Sequence, residues 1–242
     1  MISLRTFIMF GLVYSLSFSA MASEPEKVVH FTFDTGSQNW TGDFTDYPKN
    51  EEQFYELAWG WENLPAAQNS AINQSVFAKG IYLSGNNHSD DLFMFVKAPI
   101  TGLKPETTYA VTLSVTFASN VPPGLSGIGG SPGDSVAFKV GAASQEPKKI
   151  LKKNAYFLNV DKGNQFQGGK NAVVVGKLAN PLVNPDNVQY MPQTVSNSGS
   201  PLSVKSDKTG QIWVFAGTDS GFEGASKYYI GEVKVSLQQQ PD

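Results

Sequence analysis

Between positions 109 and 117 apolar and polar side chains alternate without a break. Tyr109, Val111, Leu113, Val115 and Phe117 fall on one side, Ala110, Thr112, Ser114 and Thr116 on the other. A period of two marks a strand with one buried and one wet face, so this segment predicts a strand laid on a core. Similar patterns predict strands over 28–33, 54–61, 81–84, 92–96, 135–140, 155–160, 172–178, 211–218 and 228–237, separated by clusters of Gly, Pro, Asn, Asp and Ser. Helical periodicity is not found after the N-terminal stretch. About ten strands joined by connections too short for parallel crossovers imply an all-β, antiparallel two-sheet sandwich of jelly-roll type. Two stretches, 119–134 and 179–200, are too rich in Gly, Pro, Asn and Ser for regular elements and read as long loops.

The N-terminus has a different pattern. Arg5, an apolar run over 7–18 and the small residues of Ala20-Met21-Ala22 read as a cleavable signal peptide over 1–22, leaving one sandwich domain over 23–242. The run is shorter than the roughly 20 residues of a bilayer-spanning helix, and no Cys follows it to accept a lipid. The expectation is export to the periplasm or beyond, with no transmembrane segment after cleavage.

Composition narrows the chemistry. With no Cys the exported chain has no disulfide and must rely on packing or bound metal. Arg5 is the only arginine and the formal charge is −3, which argues against nucleic acid as a partner. The one basic cluster, Lys148, Lys149, Lys152 and Lys153, reads as a protected edge strand or as a contact for an anionic glycan. Gly129-Gly130-Ser131-Pro132-Gly133 has the letters of a nucleophile elbow, but a strand follows it and both histidines, His30 and His88, precede it. Two His without Cys also exclude the usual structural zinc site.

Calcium takes oxygen ligands and stays possible. The densest oxygen cluster lies over 84–91, where Asn86, Asp90 and Asp91 are candidate ligands; the alternative is an ordinary polar turn. Asp219 and Glu223 form a second, weaker acidic loop, and 161–165 fails the EF-hand spacing. Tyr55, Leu57, Trp59 and Trp61 would share one face of a strand, with rings roughly 7 Å apart that could stack on sugars or belong to the core. Trp40 and Tyr47 are further candidate platforms. For catalysis the best pair is His88 with Asp91, and Glu56 and Glu62 would need folding to bring partners to them.

Leu103-Lys104-Pro105-Glu106-Thr107-Thr108-Tyr109 resembles a turn of fibronectin type III domains and jelly-roll carbohydrate-binding modules, in which the Tyr hydroxyl ties back to the loop. Phe33-Asp34-Thr35-Gly36, Trp40, Tyr228-Tyr229-Ile230 and Val233-Lys234-Val235 resemble the opening and closing of galactose-binding-like carbohydrate modules. That resemblance implies adjacent first and last strands, a structural calcium near them with Asp34 as a ligand, and a noncatalytic role in binding an extracellular glycan or polymer. The strings 84–95 and 127–136 are similar to uncharacterised exported bacterial proteins, which implies no activity. A structural or adhesion subunit of the cell surface and a polysaccharide lyase or glycosidase stay open beside the binding module.

Overall fold

A computed structural model describes residues 26–65 and 77–241, so the signal-peptide expectation lies outside the described residues. The chain forms two antiparallel sheets packed face to face, with a third, small sheet on top. The seven-stranded sheet runs β12 (Met191–Ser196), β7 (Thr108–Ser119), β15 (Ala225–Gln239), β5 (Lys79–Asn86) and β4 (Ala58–Asn63). β1 (Glu26–Thr32) also pairs with β15, and β13 (Leu202–Lys205) with β7. The five-stranded sheet runs β11 (Ala172–Lys177), β8 (Val136–Ala143), β14 (Ile212–Ser220), β6 (Leu92–Ile100) and β2 (Thr41–Thr45). The small sheet is β3 (Tyr47–Pro48), β10 (Ala155–Leu158) and β9 (Lys149–Lys152).

The first and last strands are neighbours. β15 pairs with β5 up to Ile230, passes a bulge at the next residue, and pairs with β1 from Glu232 onward. β7 buries alternate residues, and the hydroxyl of Tyr109 accepts a hydrogen bond from the Lys104 N–H at 3.0 Å, closing the tyrosine corner. Between the sheets, Val111, Leu113, Val115, Phe117, Val233 and Val235 meet Met94, Val96, Phe138, Val140, Val214 and Ala216. Phe117 and Phe138 stack across the gap with centroids 4.1 Å apart. Burying side chains of this size contributes about 1.5–3 kcal/mol each, which makes this layer the main source of stability.

Two expectations fail locally. The region 179–200 is not wholly irregular, because β12 pairs with β7 from Met191 to Ser196. Its sequence lacks alternation, and Pro192 is tolerated because an edge strand can spare a donor. The strand expected over 54–61 begins only at Ala58, since Glu56 has a φ of 51° and ends a turn.

The outer face of the five-stranded sheet positions the site. Phe93, Phe95, Phe215, Lys97, Lys139 and Asp219 point away from the main core, and Leu158 and Val160 pack over the three rings. The segment from the small sheet to Asn171 therefore buries a face that carries charges. β8 is buried at every residue and β6 at all but one, because both of their faces are covered.

Candidate functional site

Asp219 ends the outward row of β14 and is fully buried. Its Oδ2 accepts from Lys139 Nζ at 2.7 Å, Lys162 Nζ at 2.7 Å and the Gln165 N–H at 2.9 Å. Lys139 is one strand away on β8 and also donates to the carbonyls of Lys162 and Gln167. Lys162 reaches down from the covering loop and bridges to Asp46 Oδ2 at 3.0 Å. Asp46 sits between β2 and β3 with a φ of 68°, its N–H held by the Tyr156 carbonyl. Asp91 stands immediately before β6.

Asp46, Asp91 and Asp219 each offer an oxygen within 4.8 Å of the others, and this grouping could hold a metal ion. Three carboxylates face two ammonium groups. Asp219 Oδ1 and Asp91 Oδ1 are buried and have no hydrogen-bond donor among the described residues. A buried acceptor left without a donor costs about 1–3 kcal/mol, more when charged, so this is an unsaturated site in the fold.

The electrostatics follow from burial. Desolvation pushes the Asp91 carboxyl up to about 7, and the negative charges of Asp46 and Asp219 add to it. Burial also raises Asp46 against the pull of Lys162. Lys139 is lowered by burial, with Asp219 opposing. Burial would lower Lys162 too, but the Asp219 and Asp46 carboxylates outweigh it and leave its affinity for the proton raised.

The covering loop is built around Asp161, whose Oδ1 accepts from the Gly163 N–H at 3.0 Å and whose Oδ2 accepts from the Lys170 N–H at 2.9 Å. Gly163 has a φ of 71°, a left-handed conformation that favours glycine. Gln165 Nε2 donates to the Asp90 carbonyl and fixes the loop to the start of β6. Beside the acidic grouping opens a pocket of about 410 Å³, lined by Asp46, Asp91, Lys152, Phe157, Lys162 and Asn164 among others. Phe157 keeps 38% of its surface exposed.

The metal ligands expected from the sequence are dispersed. Of Asn86, Asp90, Asp91 and Asp34, only Asp91 joins the grouping. Asn86 donates to Glu56, Asp90 is exposed with a φ of 61°, and Asp34 is exposed in the turn after β1. Asp219, noted with Glu223 as a weaker acidic loop, is the centre of the site; Asp46, Lys139 and Lys162 were missed.

Nor do the aromatic candidates form one platform. Trp40, Tyr47 and Tyr55 are 1%, 1% and 2% exposed, so none is a surface ring. Trp40 packs edge-on against Phe31 and Phe33, and Tyr47 lies between Tyr55 and Tyr156. Trp59 and Trp61 keep 38% and 37% of their surface, on the β4 face that also carries Ile81 and Leu83 across the register. They close the flank between the sheets: Trp59 covers Gly42, where a Cβ would overlap its ring, and Trp61 Nε1 donates to the Phe33 carbonyl. The Lys79 ammonium lies 4.6 Å from the Trp61 ring centre.

The His88–Asp91 pair does not form. His88 stacks on Phe54 at 4.0 Å and its Nε2 meets the Phe54 carbonyl, because the backbone at Asp90 turns the next carboxylate inward. Glu56 and Glu62 are engaged separately, Glu62 by Lys227 and Tyr229. Ser131 is spent on its own turn, where its hydroxyl accepts from the Asp134 N–H.

No family model and no curated protein matches the chain. Among solved structures it is similar to a carbohydrate-binding module described for specific mannan recognition, with 10% identity and a TM-score of 0.44, covering 90% of this chain and 100% of that one. It is also similar to the K1 cleaved adhesin domain of Lys-gingipain from Porphyromonas gingivalis, with 10% identity, a TM-score of 0.37 and coverage of 89% and 99%. A carbohydrate-binding module solved with β-1,4-galactotriose has 11% identity, a TM-score of 0.36 and coverage of 84% and 92%.

Proposed function

We propose that the mature chain is a secreted, noncatalytic module that binds a glycan or another hydroxyl-rich extracellular polymer in the pocket beside Asp46 and Asp91, with calcium as its bound ion. The observation that carries this is the lining itself: the exposed ring of Phe157 stands beside carboxylate, amide and ammonium groups in one open pocket. A sugar offers the complement, an apolar C–H face for a ring and hydroxyls for the polar rim. A glycan array probed with the mature protein in calcium, followed by titration of the best binder, tests it. Phe157→Ala is expected to weaken that binder by at least about fivefold. Equal binding by the variant would remove the pocket from the proposal.

One observation favours a second reading, a polysaccharide-active enzyme. Asp46 and Asp91 are close carboxyls at a pocket, and one of them is pushed up to about 7, where an acid can donate a proton. Release of reducing or unsaturated ends from the best-bound polymer, lost in Asp91→Asn, would establish it; an intact polymer after prolonged incubation keeps the module noncatalytic.

A further inference from the structure

We infer that the divalent ion enters the grouping of Asp46, Asp91 and Asp219 by exchange, displacing the Lys162 ammonium into the pocket. The exchange rests on the cation reading above and is independent of which polymer binds.

Three observations lead to it. First, calcium holds oxygens at 2.3–2.6 Å, so ligands on opposite sides of one ion lie up to about 5 Å apart. The three carboxylates offer oxygens within 4.8 Å of one another. Second, the buried carboxylate of Asp219 has a donor-free Oδ1 although three donors crowd its Oδ2, and the Oδ1 of Asp91 is donor-free as well. A bound cation is a fitting partner for these two donor-free oxygens.

Third, the charges select the route. Once all three carboxyls are ionised, as metal binding requires, they face two ammonium groups and the layer is one positive charge short. A divalent ion added to both lysines would leave a buried excess of one positive charge, which a low-dielectric layer penalises. A divalent ion in place of one lysine makes the layer neutral. The lysine that leaves must be Lys162. Lys139 is fully buried and holds two backbone carbonyls besides Asp219. Lys162 lines the pocket, and its ammonium bridges Asp46 Oδ2 and Asp219 Oδ2; a divalent ion in that place would reach the donor-free Oδ1 of Asp219 by taking the carboxylate through both oxygens. The Lys162 backbone need not move, because its carbonyl stays on Lys139 and the Gly163 N–H on Asp161. Lys162 is thus a tethered stand-in for the ion. When displaced it delivers an ammonium group to the pocket, coupling metal uptake to the charge that a ligand meets.

The test uses the native chain, stripped with chelator and titrated with calcium chloride alone, with amine acylation read by peptide mass spectrometry. Lys162 is expected to pass from protected to acylated as calcium saturates, while Lys139 stays protected and shows that the fold is intact. In calorimetry Lys162→Gln is expected to bind calcium tighter by at least about tenfold, since the internal competitor is gone. Calcium binding with Lys162 still protected, no calcium binding at millimolar concentration, or an unimproved Lys162→Gln each overturns the exchange. If Lys162→Gln does not fold, labelling of the native chain decides alone. Both readouts use calcium chloride with no glycan present, so failure of the glycan proposal and failure of the exchange are told apart.

Discussion

The two faces of the five-stranded sheet use the same strands to opposite ends. Toward the main core, β6, β8 and β14 present Met94, Val96, Phe138, Val140, Val214 and Ala216, all apolar and without exposed surface. On the other face the same strands present Phe93, Phe95 and Phe215 together with Lys97, Lys139 and Asp219, also buried. Those six apolar side chains need no donors, while among the described residues the second face keeps two carboxylate oxygens without them. An apolar layer stabilises the fold; a charged layer buried under a loop does so poorly, because desolvation offsets most of the attraction. On the function proposed above, recognition rather than stability accounts for the charges.

The largest effects should come from the two layers themselves. Phe138→Ala removes a ring stacked in the apolar layer and is expected to cost about 3–5 kcal/mol in denaturant unfolding. Asp219→Ala strands two buried ammonium groups and should cost a similar amount, about 3–5 kcal/mol. The layers separate in the double variant Lys139→Met/Asp219→Leu, which keeps the net charge of the cluster: it should be more stable than Asp219→Ala, since apolar replacement of a buried pair is often neutral. A double variant less stable than the single would make the charged layer a structural device. A smaller effect is expected for Tyr109→Phe, which deletes one hydrogen bond of the corner and should lower stability by about 1 kcal/mol.

The smallest effect contrasts an exposed pair with the buried ones. Lys177 and the Gly124 N–H hold the Asp134 carboxyl below the usual carboxylate range. A group whose folded pKa is depressed contributes stability above its unfolded pKa of about 3.9, lost as pH falls through the folded value. Asp134→Asn should therefore flatten the acid limb of the stability profile, with a loss at neutral pH of no more than about 1 kcal/mol. An unchanged acid limb would show that the pair contributes nothing.

The sandwich was legible because its inner faces follow simple rules. Alternation from Tyr109 to Phe117 fixed β7, and the turn from Leu103 fixed its corner. Short or polar strands such as β2, β3, β9 and β13 were not legible, since too few side chains alternate in them to show a period. The outer face was missed for a different reason. A polar position in an alternating strand reads as wet, and nothing in Lys139 or Asp219 alone says that a loop carrying Lys162, 23 residues from one and 57 from the other, covers it. One signal was present: Leu92 to Val96 is apolar at every position, the mark of a strand buried on both sides, and lysines continue such runs in β6 and β8. Buried lysines need partners: Lys97 finds Glu146 and Asp43, and Lys139 finds Asp219. The burial of Trp40, Tyr47 and Tyr55 was not legible because they stand among polar neighbours that supply turns around a core.

Asp91 separates recognition from stability most directly, because it lines the pocket, belongs to the metal grouping and has an oxygen that no donor reaches. Its raised folded pKa means that ionisation costs stability from about pH 4 upward, until the folded carboxyl also ionises near 7. A neutral amide there should therefore cost the fold nothing. Calcium chloride alone should be titrated calorimetrically into the wild-type chain and Asp91→Asn, with both melted in excess chelator. The expected result is binding by the wild type and none by Asp91→Asn, which melts in chelator at the wild-type temperature or above. Equal calcium binding, or a variant that melts well below the wild type, would contradict the assignment of the charged layer to recognition.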